Sequence, residues 1–366
     1  SDSPNLTALP ILICSTHLVH FIEEKDEGKL QILSRCLFSP NRYILYEERN
    51  LRSKGGPVMI LNTGNRTDIP AFYTPWFMNR VKSGEVLVRS PYAENQVTRY
   101  RLDPSVVDLL VFCTKNPYPI LPHLKSLSIF DTFWHVTITP YGRDIEPNVP
   151  SKRDILSAFQ YLSHQIGANR IVWRYDPILI NHTYTTAYHI EAFRSMAETL
   201  QGYTHQVVIS FIDLYEKTKR NFPEARPVSA HDQVLLVNAF SEIAKKTGLA
   251  IHLCCESAIL ERDNVDANGC LSQAVLEEAL GEKLSVPRRK APREGCTCLL
   301  GADIGAYNTC SHFCRYCYAN YDEALVRKNY QRHDPASALL IGHLEQGDII
   351  KDAQQKSWKS PEISLF

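Results

Sequence analysis

Three cysteines near the carboxyl-terminal end have the spacing of an iron–sulfur ligand set. Cys310, Cys314 and Cys317 form the pattern C-x3-C-x2-C. A cubane [4Fe–4S] cluster has four irons, so three thiolates leave one iron without a protein ligand. In radical SAM enzymes that iron binds S-adenosylmethionine (SAM), and one-electron reduction then yields a 5′-deoxyadenosyl radical. The aromatic Tyr316 directly before the last cysteine is typical of this class.

Two other interpretations of the triad stay open. The three thiols form a zinc knuckle if His312 or a further cysteine completes the set. Alternatively, an iron–sulfur cluster uses its open iron as a Lewis acid without SAM. Zinc favours C-x2-C pairs, and the three-residue gap here is unusual for it, so the spacing favours the cluster.

Four further cysteines predict a second metal site. Cys255, Cys270, Cys296 and Cys298 together form a four-ligand set for an auxiliary [4Fe–4S] cluster or for zinc. The alternative is that some of them are buried thiols, a common fate of cysteine. Cys254 would point away from Cys255 on a strand, so it is assigned to packing.

The segment before the triad is a candidate SAM-binding loop. Gly301 and Gly305 let the backbone approach a ligand closely. The same segment, 301–308, contains Asp303, Tyr307 and Asn308. These three side chains, together with Tyr316, are predicted to contact the cofactor. A plain turn explains the glycines equally well.

Composition narrows the function classes. Of 366 residues, 40 are basic and 40 acidic, so no overall charge favours nucleic acid or a membrane. A basic stretch at 283–294 keeps nucleic acid open as a partner. No uncharged apolar run reaches about 18 residues, so we expect no transmembrane helix. Of the 11 cysteines, the seven from Cys255 to Cys317 cluster in one stretch, and there is no recognisable signal peptide, which together predict a cytoplasmic location.

From residue 58 onward, short β-branched runs alternate with helical patterns. This predicts six strands, at 58–62, 107–113, 133–139, 170–175, 206–213 and 250–255. Helices are predicted at 70–83, 119–127, 152–166, 185–200 and 230–247, with Ser151 and Ser229 as N-caps. The predicted fold is α/β: a partial, TIM-like (β/α) barrel of about six parallel strands, followed by a cysteine-rich cluster-binding segment. The expected domains are an extension at 1–57, the barrel at 58–282 and an iron–sulfur segment at 283–366.

Charged residues follow the predicted strands at their carboxyl ends, which form the working face of parallel α/β folds. Arg66 and Asp68 after the first strand are predicted to help bind the cofactor. The candidate catalytic residues come after the later strands: Lys115, Arg143, Arg174, Asp176 and Asp213. The cationic run Lys217–Arg220 is interpreted as a solvated face.

Several longer segments carry a family resemblance: NRTDIPAFY (65–73), FCTKNP (112–117), PYGRDIEPNVP (140–150), IVWRYDP (171–177), SFID (210–213), DIGAYNTC (303–310) and CRYCYAN (314–320). They resemble an uncharacterised microbial family known only as a domain of unknown function, family 1848. The resemblance implies a radical-SAM-like cluster, and counterparts of Cys255, Cys270, Cys296 and Cys298. The expected partners are SAM, an unknown substrate and an electron donor of the flavodoxin or ferredoxin type.

The sequence departs from ordinary radical SAM enzymes in the position of the triad. There the triad follows the first strand of the barrel, whereas here it follows the last strand that the pattern predicts. No Gly-Gly-Glu-type motif follows the second strand. The usual SAM-binding strand motifs are therefore not expected to transfer.

Overall fold

A computed structural model describes residues 59–287 and 296–359, together with the backbone of two strands near the amino terminus. The chain divides into two compact units, Ser1–Asn50 and Leu51–Phe366. In the first unit, β1 (His20–Asp26) and β2 (Lys29–Arg35) form an antiparallel hairpin. The rest of the expected extension at 1–57 lies outside the described residues, as does most of the basic stretch at 283–294.

The second unit is built on two sheets. Their strands are β3 (Ile60–Asn62), β4 (Glu85–Arg89), β5 (Gln96–Arg101), β6 (Leu109–Thr114), β7 (Thr132–Thr137), β8 (Ile171–Ile178), β9 (Gln206–Phe211), β10 (Ala250–Leu253), β11 (Val265–Asp266), β12 (Ala302–Asp303) and β13 (Ile349–Asp352). The main sheet has eight strands in the order β11-β10-β9-β8-β7-β6-β3-β12, and each neighbouring pair is parallel. The last strand, β12, therefore lies beside the first, β3.

Helices flank this sheet: α1 (Ile69–Phe72), α2 (Thr74–Ser83), α3 (Leu124–Leu127), α4 (Lys152–Ile166), α5 (Thr186–Leu200), α6 (Glu216–Asn221), α7 (Ala230–Thr247), α8 (Gln273–Leu280) and α9 (Glu323–Gln331). The predicted caps are confirmed, because Ser151 accepts the amide of Asp154 and Ser229 that of Asp232. In the described part of the chain, no helix is long and apolar enough to cross a bilayer.

The two faces of the main sheet have different environments, because successive side chains on a strand point to opposite sides. On one face, large residues such as Trp134 and Trp173 pack against the helices. On the other, Val111 and Val172 pack with Leu276 and its neighbours. The same second face turns polar toward the carboxyl ends of the strands, where it carries Asn62, Cys113, His135, Arg174, Asp176 and Ser210.

The class of fold and the six predicted strands are confirmed, but the strand number is corrected from about six to eight. The two added strands, β11 and β12, have two residues each, too few to show a period in the sequence. The predicted helix at 70–83 is two helices that meet at Tyr73. The one at 119–127 is a 3-10 turn, Tyr118–His123, followed by α3, because prolines lack the amide that an α-helix needs.

A second, smaller sheet was not predicted. Its order is β13-β5-β4, with β4 and β5 antiparallel and β13 parallel to β5. The buried residues Leu87 and Val97 pack there with Leu339. Since β13 comes from the far end of the chain, local sequence pattern could not indicate this pairing.

Candidate functional site

The cysteine triad lies in the connection between β12 and α9. Two residues of this connection, Asn308 and Phe313, have left-handed backbone angles, with φ of 57° and 54°. Burial raises the pKa of the Cys310 thiol, and the negative charge of Asp68 and of the other two thiols raises it further. The three thiols are thus close enough to interact, as the spacing predicted.

Hydrogen bonds hold this connection in a closed loop. The Asn308 amide donates to the Ala319 carbonyl at 3.0 Å, and the Asn308 side chain accepts from the amide of Tyr321. The Ala319 amide in turn points at Cys317, with nitrogen and sulfur 3.3 Å apart. Asn308 was predicted to contact SAM, but its side chain here closes the loop.

The ring nitrogens of His312 contact protein oxygens, so this residue is not placed as a metal ligand. Its Nε2 lies 2.9 Å from Oδ2 of Asp68, and its Nδ1 lies 3.4 Å from the carbonyl oxygen of Asn148. The ring is buried against Phe72, with the ring centroids 4.6 Å apart. Both ring nitrogens therefore face protein oxygens.

Asp68 joins three segments of the chain. It caps α1 by accepting the Ala71 amide at 3.0 Å, and it accepts the Lys115 amide at 2.8 Å. His312 is its third partner. The carboxylate therefore ties two segments to α1: the loop after β6, and the connection between β12 and α9 that carries the triad, which we call the cysteine segment. Its role is thus to position the segment.

Asp303 and Arg66 form a second tie between the first strand and the cysteine segment. The Asp303 carboxylate accepts the amides of Asn65 and Gly305, each at 2.7 Å, and Arg66 Nε at 3.0 Å. The Arg66 guanidinium also lies 5.8 Å from the ring centroid of Tyr307. These predicted cofactor residues lie together, and protein donors already occupy both oxygens of Asp303.

Glu146 is a buried carboxylate near the carboxyl ends of the strands. It was not among the residues predicted from the sequence. Lys115 Nζ lies 2.8 Å from Oε1, and Lys152 Nζ lies 2.5 Å from Oε2. Thr139 and Tyr316 donate their hydroxyls to Oε1. Burial alone would raise the pKa of Glu146, but the two lysines outweigh it and hold the pKa at about 2. The carboxylate is therefore ionised at neutral pH.

Tyr316 connects Glu146 to the triad. Its hydroxyl donates to Glu146, and the contact of the same side chain with Cys314 opposes the rise that burial causes in the pKa of that thiol. The Lys115 ammonium lies 5.6 Å from the centre of the Tyr316 ring. Two predicted residues, Lys115 and Tyr316, thus belong to one network at the carboxyl ends of the strands.

The run Lys217–Arg220 was interpreted as a solvated face, and the position of Lys217 corrects that interpretation. Its ammonium lies 3.7 Å from the ring centroid of Tyr321 and 4.6 Å from that of Tyr307. Burial raises the pKa of Cys317, and the positive charge of Lys217 opposes that rise. Helix α6 therefore presents one cation to the triad, while its neighbour Lys219 is exposed and pairs with Glu216.

A second polar group lies on the second face of the main sheet, the face that carries His135, Arg174, Asp176 and Ser210. Arg174 donates through Nε and Nη2 to Oδ2 of Asp176. The other oxygen of Asp176 accepts the hydroxyl of Ser210. Arg174 Nη1 lies 3.5 Å from His135 Nδ1 and 3.6 Å from Cys270 Sγ. Burial, aided by Arg174, lowers the pKa of His135 to about 3, so this ring is neutral. Arg174 and Asp176, both predicted as catalytic, pair with each other next to the second cysteine set.

That second set contains five thiols. Hydrogen bonds with Cys254 and Cys298 raise the pKa of Cys270, and hydrogen bonds with Cys255 and Cys298 lower that of Cys296 to about 3. Cys254, which was assigned to packing, does pack against the apolar cluster around Leu276, and its thiol also bonds Cys270. Strand alternation ends at Leu253, and Cys255 has a left-handed φ of 59°, so the two thiols do not point to opposite faces.

Two predicted catalytic residues do not join either group. Arg143 is exposed, and so is Asp213, whose carboxylate accepts the Tyr215 hydroxyl at 3.1 Å. Two residues that the sequence passed over, Glu146 and Lys217, do belong to the site. The available signal for Glu146 was its place in PYGRDIEPNVP, a segment from which Arg143 was chosen instead.

No three His, Cys, Asp or Glu side chains among the described residues are already arranged around a common metal position. The chemistry of the triad still suits a cluster. Its three thiols are within interaction distance, an amide points at the Cys317 sulfur, and the imidazole of His312 is bonded to Asp68. Thiolate ligands with amide N–H···S bonds are what iron–sulfur clusters use.

Comparison with known proteins places this site within a recognised sequence family. A family model described as Domain of unknown function (DUF1848) matches residues 60–319. That range runs from β3 to just past Cys317 and includes both cysteine sets. No curated protein and no solved structure matches the chain.

Proposed function

We propose that this chain, which belongs to the DUF1848 family, holds a [4Fe–4S] cluster at its triad and is a radical SAM-type enzyme. The pairing of His312 with Asp68 and Asn148 carries the proposal. With that imidazole engaged, Cys310, Cys314 and Cys317 supply three ligands to a cluster that takes four. The fourth iron is the one to which SAM binds in this class of enzyme.

The chemistry that such a cluster supplies when bound is one-electron reduction of the SAM sulfonium, giving methionine and a 5′-deoxyadenosyl radical that takes a hydrogen atom from the substrate. The electron comes from a flavodoxin- or ferredoxin-type donor. The substrate is a molecule that reaches the carboxyl ends of the parallel strands, next to the triad.

The residues around the triad have defined roles in this proposal. Asp68 ties the connection that carries the triad to the first helix, and Asp303 ties it to Asn65 and Arg66 after the first strand. Glu146 holds Lys115 and Lys152 at the strand ends, and the Lys152 ammonium keeps some access to solvent. These two ammonium groups are the binding groups that we assign to a carboxylate of SAM or of the substrate.

The sheet order supports a TIM-like barrel as the scaffold. Strand β12 lies beside β3, as the eighth strand of such a barrel lies beside the first. The segments that follow β11 and precede β12 also meet, since the Leu299 amide donates to the Leu271 carbonyl at 2.8 Å. In this arrangement the triad follows the eighth strand and still reaches the mouth of the barrel.

Electron paramagnetic resonance on anaerobically reconstituted protein tests the proposal. We expect iron and sulfide to be bound, and the spectrum of the reduced protein to change when SAM is added. The Cys314→Ser variant should lose that signal, whereas His312→Gln should keep it. A reduced cluster whose spectrum ignores SAM would leave the Lewis-acid alternative, and iron binding unaffected by Cys314→Ser would contradict the assignment of the ligands.

A further inference from the structure

The second cysteine set lies where the two ends of the main sheet approach each other. Cys254 directly follows β10, Cys270 follows β11, and Cys296 and Cys298 precede β12. Strands β11 and β12 are the two ends of the sheet order. Three of these thiols are almost fully buried: Cys270 is 5% exposed, and Cys296 and Cys298 are each 6% exposed.

The distance between two of these sulfurs distinguishes a single metal ion from a cubane cluster. Cys270 Sγ and Cys298 Sγ are 3.8 Å apart. Two thiolates bound tetrahedrally to one zinc ion, each at about 2.3 Å, stand roughly 3.8 Å apart. In a cubane cluster each thiolate binds its own iron, so neighbouring thiolates stand farther apart. The observed spacing therefore fits a single zinc ion.

The contacts also indicate which four thiols form the set. Cys270 bonds both Cys254 and Cys298, and Cys296 bonds Cys298 and senses the charge of Cys254. Cys255 bonds Cys296. Cys254 interacts with two of the other three thiols, Cys270 and Cys296, and we therefore choose it as the fourth ligand.

The surroundings are those of a thiolate site. The Leu271 amide donates to Cys298 Sγ at 3.4 Å, and Arg174 donates to Cys270 Sγ at 3.6 Å. These donors stabilise negative sulfur. Gly269, with φ of 87°, lets the two segments approach, because a Cβ there would lie 2.9 Å from Thr297 Oγ1 and 3.0 Å from Cys298 Sγ.

We propose that Cys254, Cys270, Cys296 and Cys298 bind one zinc ion, which ties together the chain segments at the two ends of the sheet. Binding releases the protons of those thiols that are still protonated, and the side chains turn about their single torsions to surround the ion. The site is separate from the triad and does not depend on the function proposed for it. The role of the ion is structural, since four protein thiolates leave zinc no open position.

The full-length variant Cys310→Ser/Cys314→Ser/Cys317→Ser, purified anaerobically, separates this site from the triad. We expect about one zinc ion per chain, with X-ray absorption showing four sulfur neighbours at about 2.3 Å. Iron in place of zinc in this variant would overturn the proposal, because it would indicate a second cluster. A protein that binds neither metal would overturn it equally.

A matched pair of variants tests the choice of ligands in the same background. Cys254→Ser should weaken zinc binding, measured by chelator competition, by roughly a hundredfold or more, beyond the loss typical of an outer-shell change. Cys255→Ser should leave the affinity unchanged. The reverse order would assign the fourth ligand to Cys255 and contradict the proposal. If Cys254→Ser does not fold, the triple variant without the triad cysteines, which keeps Cys254, is titrated with cobalt instead. We expect the charge-transfer intensity of four thiolate ligands. An intensity that corresponds to fewer thiolates would overturn the proposed ligand set.

Discussion

His312 Nε2 lies 2.9 Å from Asp68 Oδ2, and this contact joins the cysteine segment to the first helix of the parallel array. The carboxylate also accepts the amides of Ala71 and Lys115. Since a carboxylate only accepts hydrogen bonds, the proton on this contact belongs to Nε2, and that nitrogen has no lone pair for a metal. A histidine next to a cysteine motif therefore acts here as an anchor.

Replacing this anchor separates anchoring from ligation. We expect His312→Gln to retain bound iron while the free energy of unfolding falls by about 1–3 kcal/mol, because Asp68 loses a buried partner. Iron content and denaturant unfolding of the same preparation measure the two effects. Loss of iron from His312→Gln to the extent seen in Cys314→Ser would mean that the imidazole is a ligand.

Glu146 makes a prediction about acid stability. Its pKa is lowered from 4.5 to about 2, so its contribution is fully present above pH 4.5 and is lost as the pH falls toward 2. At neutral pH, Glu146→Gln should lower the free energy of unfolding by roughly 3–5 kcal/mol, because two lysines lose their common partner. The gap between wild type and variant should narrow as the pH falls through this window.

Urea unfolding at neutral pH and at successively lower pH measures that gap. The exposed Glu278→Gln is the matched control, and it should change stability little. A gap that stays constant on acidification would show that the Glu146 carboxylate is not ionised in the folded protein.

Lys217 should tune the reduction potential of the proposed cluster. Reduction adds negative charge, which a nearby cation stabilises, so Lys217→Met should lower the midpoint potential by roughly tens of millivolts. Lys219→Met is the control, because that ammonium is exposed on the same helix and pairs with Glu216. A redox titration followed by spectroscopy gives both values. Equal potentials in the two variants would place Lys217 outside the electrostatic reach of the triad.

Gly301 allows β12 to lie against β3. A Cβ at this position would lie 1.8 Å from the carbonyl oxygen of Ile60, which is backbone and cannot turn away. Gly301→Ala should therefore lower the free energy of unfolding by about 3 kcal/mol. Gly281→Ala, where a Cβ meets nothing within 4 Å but φ is 70°, should lower it by about 1 kcal/mol. Thermal and denaturant unfolding measure both losses. If the two variants lost comparable amounts of stability, this would argue against the close pairing of β12 with β3.

The longer elements were predictable because their signals are local. Apolar runs and the caps at Ser151 and Ser229 indicate their helices and strands without knowledge of the rest of the chain. The strands β11 and β12 carry no such signal, because two residues show no period. Only their ladders with β10 and β3 define them.

The site was predictable only in part, for a related reason. Glu146 and Asp144 lie two residues apart in one loop, yet Glu146 is 1% exposed while Asp144 is exposed. The positions of Lys115 and Lys152, which come from other elements, decide that difference. Similarly, alternation separates Cys254 from Cys255 only while a strand continues, and the backbone turn at Cys255 is a tertiary feature.

The production of 5′-deoxyadenosine tests the radical SAM assignment most directly. Reconstituted protein is incubated anaerobically with SAM and a strong reductant, and the nucleoside is quantified by mass spectrometry. We predict 5′-deoxyadenosine and methionine in equal amounts from the wild type, and none from Cys314→Ser. A protein that holds a reducible [4Fe–4S] cluster at the triad yet leaves SAM intact would contradict the account.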